Sequence, residues 1–200
     1  MGAVGSVGLL KRGRCASQAL ALLLSAALPA ASVAAGPGQI RFEDGNLLTT
    51  AEGEFHDWRI VSAVVDEAEP EKSRVELEVS IASLDTGIAK RDDHLRSHDF
   101  FDVEKFPVAR VTLAGFRLDG ESAFTADVTL ELRGKSKTFP MRFRIEDRAA
   151  RRISGSVTLD RRDFGVGEPH SSWDPLSVRD AVEVMVTAVV PPAGAFGAAD

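Results

Sequence analysis

Cysteine and aromatic residues are scarce in this 200-residue chain, which has one cysteine, no tyrosine and two tryptophans. The cysteine, Cys15, lies in an N-terminal segment that we expect to be removed. Disulfide-bonded and cysteine-metal scaffolds are therefore excluded for the remainder. The glycines are scattered through predicted turns and form no phosphate-binding loop or dinucleotide fingerprint. A hydrophobic core must therefore hold the folded protein together without disulfide or cysteine-metal cross-links.

Runs of like charge are also missing. The chain carries 24 basic and 30 acidic side chains, which gives a net charge of −6. An acidic chain without a basic patch repels phosphate backbones, so we expect no nucleic-acid partner. A hydrophobic fraction of 44% with 27% charged residues is ordinary for a soluble chain of one domain and argues against disorder.

Residues 1–35 have the three-part pattern of a secretory signal peptide. Three basic side chains between residues 11 and 14 precede a short apolar run at residues 19–28, and small residues continue to Ala35. The apolar run is too short to span a bilayer. We therefore expect cleavage after residue 34 or 35 and a periplasmic location. At the other end, residues 191–200 are expected to form a flexible tail.

Apolar and polar residues alternate with a period of two in many segments beyond residue 35, which is typical of strands with one wet face. Turn residues separate the segments at the spacing of antiparallel hairpins. About eight such strands can hide their apolar faces between two stacked sheets or inside one sheet rolled into a barrel, and alternation does not choose between these. The predicted strands are residues 40–43, 47–55, 58–65, 75–81, 109–118, 124–132, 139–145, 153–159 and 182–186.

Residues 88–101 break the alternation and are highly charged, which predicts a short helix with Asp85 or Thr86 as its cap. Pro140 interrupts a regular strand and predicts a sheet edge or a bulge. Residues 161–179 contain several glycines and prolines and are predicted to form a long loop.

Histidines on the predicted helix raise the alternative of a small metal-dependent hydrolase. His94 and His98 are four residues apart and lie close to aspartates 92, 93 and 99, so a two-histidine zinc site is geometrically feasible. A solvated helix with incidental histidines is the interpretation we favour, because this spacing is common by chance. No GxSxG nucleophile elbow is present. We expect no enzyme activity, cofactor or metal.

The apolar strand faces either fill the interior or leave a slot for an apolar guest. A filled interior would make the protein a solid-core interaction module. An unfilled one would make it a carrier of an apolar ligand. Periodicity leaves both alternatives open.

Seven motifs follow one another along the chain. They are SLDTG (83–87), RDDHLRS (91–97), FFDV (100–103), FP (106–107), LELRGKSK (130–137), LDRRDFGV (159–166) and RDAVEV (179–184). In this order, over the stretch from about residue 39 to residue 190, they strongly resemble the YceI-like family of exported polyisoprenoid-binding proteins.

This resemblance implies an antiparallel lipocalin-like barrel over residues 36–190, with the short helix near its mouth. It also implies that the interior binds, transports or sequesters a long isoprenoid lipid of the quinone or polyprenyl type, without catalysis. Contact with a membrane would be transient, and the sequence does not give the oligomeric state.

Strand alternation then assigns the wall of the lipid cavity to Phe55, Leu77, Val79, Ile81, Phe124, Val128, Phe139, Phe143 and Val184. The rim is assigned to Leu95, Phe100, Phe101 and Phe106. Arg91 and His94 are expected near the lipid head group. Alternatively, Arg91 and the neighbouring aspartates hold the helix against the barrel by pairing with residues 161–163.

Overall fold

The computed structural model describes residues 38–45, 50–66, 68–171, 173 and 177–190, all within one compact unit that spans Ala34–Asp200. The predicted signal peptide and C-terminal tail lie outside the described residues. The described part is all-β with one short helix, α1 (Ala89–Arg96). Its strands are β1 (Gly38–Gly45), β2 (Thr50–Phe55), β3 (Trp58–Val64), β4 (Arg74–Ser80), β5 (Leu84–Asp85), β6 (Val108–Leu118), β7 (Ala123–Leu132), β8 (Lys135–Asp147), β9 (Arg152–Asp160) and β10 (Ala181–Val189).

The strands form a single antiparallel sheet in the order β3-β4-β6-β7-β8-β9-β10-β1-β2-β5. β2 and β3 lie near opposite ends of this order, yet only His56 and Asp57 separate them along the chain. The sheet must therefore curl strongly, until its two ends approach each other. One curled sheet, rather than two stacked sheets, buries the apolar strand faces.

Most predicted strands agree with the structure, and three details differ. β8 begins at Lys135 rather than residue 139. The sequence does not predict its first residues as strand, because they are polar on both faces and show no alternation. β5 has only two residues and is too short to show alternation. Ile81, predicted at the end of a strand, lies in a 3-10 turn at Ile81–Ser83.

Pro140 lies where β8 pairs with β7 but not with β9. The β8–β9 pairing covers only Phe143–Asp147 of β8, so the preceding half of β8 has a locally free edge. Proline has no N–H to donate and is tolerated at such an edge. The prediction of an edge at this position agrees with the structure.

Helix α1 is shorter than predicted, because residues 97–106 form successive turns rather than helix. Its N-cap residue is Ile88, which makes no side-chain cap bond, so the predicted caps are wrong. Asp85 Oδ1 instead accepts a hydrogen bond from Gly87 N at 2.7 Å. Thr86 Oγ1 donates to Asp92 Oδ1, and Asp92 is only 6% exposed. The two expected caps therefore order the preceding loop.

Arg161 organises the start of the predicted long loop, which opens with a 3-10 turn at Arg161–Phe164. This arginine is only 7% exposed. Buried charges require hydrogen-bond partners, and backbone carbonyls supply them here. Its guanidinium donates to the carbonyl oxygens of Val166 (Nη1, 2.6 Å), Glu168 (Nη2, 2.6 Å), Val178 (Nη2, 3.1 Å) and Arg179 (Nε, 2.9 Å).

Candidate functional site

A cavity of about 720 Å³ lies on the concave side of the curled sheet. Every strand except the short β5 contributes inward side chains to its wall. All lining residues are apolar except for Asp44, Asp66, Ser73, Arg148 and Arg161. An apolar interior of this volume is suited to a lipid tail or another apolar ligand.

The cavity exists because the inward side chains do not fill the lumen. Leu77, Leu130 and Val184 point inward from strands that are paired on both sides, yet none of them is fully buried. Ten of the buried residues form two clusters, one that includes Trp58 and Ile81 and one that includes Met141. The side chains of these clusters pack against one another and still leave the cavity unfilled, so the structure favours the unfilled interior over the filled one.

The two ends of the cavity differ. The helix end, named for α1, is lined by Leu95, Phe100 and Phe101 from α1 and the turns after it. Phe164 and Val166 from the Arg161 loop complete that end. The far end is formed by the opposite ends of the strands and by the β6–β7 and β8–β9 turns, which Ile145 N joins by donating to Ser122 O at 2.8 Å.

Twelve of the fifteen side chains predicted to bind the ligand line this cavity, and their contact with a ligand stays a prediction. They are Phe55, Leu77, Val79, Ile81, Leu95, Phe100, Phe101, Phe124, Val128, Phe139, Phe143 and Val184.

Arg91, His94 and Phe106 do not line the cavity. The His94 ring packs edge-on against Phe100, with 4.8 Å between ring centroids. Phe106 lies beside Gly134, where a Cβ atom would come within 3.2 Å of the phenyl ring. The head-group role of Arg91 and His94 stays a prediction, and their position gives it no support.

Arg91 and Asp92 both bind Thr86. Arg91 donates from Nε to Thr86 Oγ1 and from Nη2 to Thr86 O, each at 2.8 Å. Asp92 Oδ1 accepts from Thr86 N at 3.0 Å. The neighbouring Asp93 lies 3.7 Å from Arg96. The charged cluster therefore fixes α1 to the loop before it, and the partners predicted at residues 161–163 are wrong.

Replacing Arg91 with alanine is expected to lower the melting temperature, because Thr86 loses two charge-assisted hydrogen bonds. The loss of unfolding free energy should be about 1–2 kcal/mol for this partly exposed site. Thermal denaturation measures the melting temperatures of Arg91→Ala and of the control Lys90→Ala, which replaces an exposed neighbour on α1. An unchanged melting temperature with weaker ligand retention would instead assign Arg91 to the head group.

The sequence interpretation did not identify several of the apolar side chains that line the cavity, nor any of its polar lining residues. Val111, Leu113, Val157 and Leu159 line the cavity. They stand at alternate positions, so the alternation of β6 and β9 could have identified them. Arg161 carries no such signal, because an arginine in an irregular segment is usually exposed.

Asp44 is a half-buried carboxylate on the cavity wall at the helix end. Its Oδ1 atom accepts a hydrogen bond from Gly45 N at 2.6 Å. Burial raises the pKa of the Asp44 carboxyl, although the Gly45 N–H and the charges of Arg161 and Arg179 oppose that rise. The helix end therefore combines a carboxylate with an arginine whose donors are already bound to carbonyls.

The zinc-site alternative gains no geometric support. Within the described ranges, no group of three or more histidine, cysteine, aspartate or glutamate side chains is placed to hold a metal. His98 Nε2 lies 2.9 Å from Asp99 Oδ1 at the surface, whereas His94 packs against Phe100. In the part of the chain that the structure covers, no helix has the length and apolar character needed to cross a membrane.

Comparison with known proteins gives a family match and several structural neighbours. A family model described as the YceI-like domain matches residues 32–190. A UPF0312 protein of Pseudomonas savastanoi pv. phaseolicola is 36% identical over 128 residues, which cover 58% of this chain and 64% of that relative. The match therefore spans less than two thirds of the relative's length.

Two solved structures share the fold. Burkholderia cenocepacia BcnA superposes with a TM-score of 0.68 at 20% identity, over 77% of this chain and 96% of that one. A polyisoprenoid-binding domain from Saccharophagus degradans, implicated in plant cell wall breakdown, superposes with a TM-score of 0.57 at 16% identity. That match covers 77% of this chain and 93% of the other. None of these comparisons indicates a catalytic activity.

Proposed function

The chain belongs to the YceI-like family, and from this membership we propose that it binds, transports or sequesters a long-chain isoprenoid lipid. The observation that carries the proposal is the apolar cavity of about 720 Å³ inside the curled sheet. In this role the sheet acts as a lipocalin-like barrel around the lipid tail. The Saccharophagus degradans neighbour, which is a polyisoprenoid-binding domain, supports this choice of ligand.

Transfer of the tail from water into the cavity supplies the binding free energy in this proposal. Burial of apolar groups contributes about 0.8 kcal/mol per methylene before ordering costs. A cautious ceiling of about 0.3 kcal/mol per heavy atom still gives roughly 1.5 kcal/mol for the five carbons of an isoprene unit. Affinity should therefore depend on tail length more than on any single polar contact.

The proposed role is non-enzymatic. The alternative of a solid-core interaction module is less favoured, because the inward side chains leave the lumen unfilled. In this proposal the N-terminal segment directs export of the protein to the periplasm. The proposed ligand is a quinone or polyprenyl lipid. A periplasmic carrier would contact the membrane transiently when it loads or releases its lipid.

A series of isoprenoid alcohols tests the proposal. Affinities for geraniol, farnesol and geranylgeraniol, which have two, three and four isoprene units, should rise by about tenfold per added unit. Titration can follow the fluorescence of Trp58, which lines the cavity and is only 4% exposed. Equal affinities along the series, or no saturable binding, would contradict the proposed function.

A further inference from the structure

The junction between β8 and β9 lacks backbone pairing along the first part of β8. The two strands pair only between Phe143–Asp147 and Arg152–Gly155, next to the far end. Towards the helix end, Lys135–Arg142 of β8 pairs only with β7, and Ser156–Asp160 of β9 pairs only with β10, among the strands that the structure describes. We call this unpaired part of the junction the split. Side chains, and not backbone hydrogen bonds, hold its two edges together.

The split borders the cavity directly. Phe139 and Met141 lie on its β8 edge, and Val157 and Leu159 lie on its β9 edge. All four side chains line the cavity. Apolar side chains that meet across an unpaired junction separate at a lower cost than strands joined by backbone hydrogen bonds. The wall can therefore open at the split without loss of backbone pairing.

One other junction between the described strands lacks pairing, and it lies between the two ends of the sheet. There the buried core cluster has members on both sides, with Ile40 on β1 and Trp58 on β3. At the split, the buried members of the second cluster lie on β6, β7 and β8, whereas Val157 of β9 is only partly buried. The split is therefore the more weakly packed of the two junctions.

The segment that follows β9 closes the helix end of the split. We call this segment, Arg161–Val166, the flap, and it begins with the 3-10 turn described above. Phe164 and Val166 of the flap are buried and line the cavity. These two side chains therefore complete the wall where β8 and β9 leave it unpaired.

The flap is held firmly on the side of β10. Arg161, its first residue, donates from its guanidinium to four backbone carbonyls and lies 3.1 Å from the Asp180 carboxylate. Arg161 N also donates to Asp180 O at 2.9 Å. Just beyond the flap, Gly167 N donates to Asp99 O at 3.0 Å. These bonds anchor the flap to the start of β10 and to the turns after α1.

Exposed groups hold the flap on the side of β8. Lys137 Nζ donates to Asp163 Oδ2, and both residues are exposed. Arg133, in the β7–β8 turn, donates from Nη1 to Gly165 O. Exposed ion pairs contribute little to stability and break readily. The flap can therefore separate from β8 while the Arg161 network keeps its other side in place.

We propose that the split is a lateral portal through which the apolar tail enters and leaves the cavity, and that the flap is its gate. The Lys137–Asp163 ion pair keeps the gate closed, and a long tail slides in sideways instead of being threaded from one end. The inference rests on the proposed function, because it gives the route of the same ligand. It also gives a role to the motifs at residues 130–137 and 159–166, which supply the two sides of the gate.

Stopped-flow mixing with geranylgeraniol, followed by Trp58 fluorescence, tests the gate on the full chain. Release is followed when the loaded protein is mixed with an excess of phospholipid vesicles. Lys137→Met removes the ion pair and should raise the rate constants of uptake and release by about two- to fivefold each, which is the range that an exposed ion pair allows. The affinity should not change, because both rate constants rise together. Lys137→Arg keeps the charge and should keep the original rates.

Arg110→Gln is the matched control for the ion pair. Arg110 Nε lies 3.3 Å from Glu78 Oε1 at the surface, but the strands that carry these residues, β6 and β4, are joined by backbone pairing. Loss of this ion pair should leave both rate constants unchanged. Unchanged rates in Lys137→Met, or an equal acceleration in Arg110→Gln, would overturn the role given to the gate.

A covalent crosslink closes the gate permanently. Cys15 is the only cysteine of the sequence, so the variant Cys15→Ser/Lys137→Cys/Asp163→Cys carries thiols at the gate alone. A short bismaleimide replaces the length of the lysine side chain and joins the two thiols. Uptake and release should then slow by at least about tenfold, because the wall opens only with loss of backbone hydrogen bonds.

The same crosslinker provides its own control in Cys15→Ser/Glu78→Cys/Arg110→Cys, where it joins strands that are already paired. The rates of this variant should match those of the unmodified chain. If the crosslink at the gate leaves uptake and release unchanged, the tail does not pass through the split and the lateral portal is wrong. Failure of geranylgeraniol to bind the unmodified chain would instead contradict the proposed function, so the two failures are distinguishable.

Discussion

Replacement of Val184 by tryptophan is expected to reduce the affinity for geranylgeraniol by about tenfold for every isoprene unit that the indole displaces. Val184 lies between Phe42 of β1 and Val157 of β9 in the sheet, and all three side chains line the cavity. The indole would enter empty space, so the unfolding free energy should change by less than about 1 kcal/mol. Titration and thermal denaturation measure the two effects separately.

Thr187→Trp is the matched control on the same strand. Thr187 is exposed and pairs with Gln39 and Ser154, and none of these residues lines the cavity. The same bulk on the outer face should leave the affinity unchanged. If both tryptophan variants bind the lipid as the unmodified chain does, the ligand does not occupy the cavity.

Replacement of Arg161 by methionine is expected to cause the largest loss of stability. Methionine keeps most of the apolar length, but four carbonyl oxygens and the Asp180 carboxylate lose a buried partner. Removal of one member of such a network costs about 3–5 kcal/mol. The unfolding free energy from urea denaturation measures the loss.

Arg162→Met is the control for this second prediction. Arg162 is the next residue on the same 3-10 turn, and among the residues that the structure describes its guanidinium makes one long hydrogen bond, to Val166 O at 3.4 Å. Its replacement should lower the unfolding free energy by less than about 1 kcal/mol. Equal losses in the two variants would contradict the role given to the Arg161 network.

Alternation predicted the strands and most of the cavity wall because it reports which face of a strand is apolar. Phe124, Val128 and Phe143 were identified in this way, and all three line the cavity. Alternation could not predict the curl of the sheet. The curl depends on which strands pair, with β2 beside β1 and β3 beside β4, and alternation does not identify pairing partners. The ordered motifs predicted membership of the YceI-like family, and the family model confirms that prediction.

Residues whose role depends on irregular backbone escaped prediction. Arg161 is buried only because carbonyls of the following loop converge on it. The sequence predicts a head-group contact for Arg91, whereas its hydrogen bonds to Thr86 depend on the conformation of the loop before α1, which the sequence does not give.

Mass spectrometry of an organic extract tests the central claim most directly. The protein is purified from its native cells without added lipid, extracted, and the extracted lipid is quantified against the protein. About one isoprenoid molecule per chain is expected, and the Val184→Trp variant should yield markedly less. An extract without isoprenoid lipid, or equal amounts from both proteins, would contradict the claim that the cavity holds an isoprenoid tail.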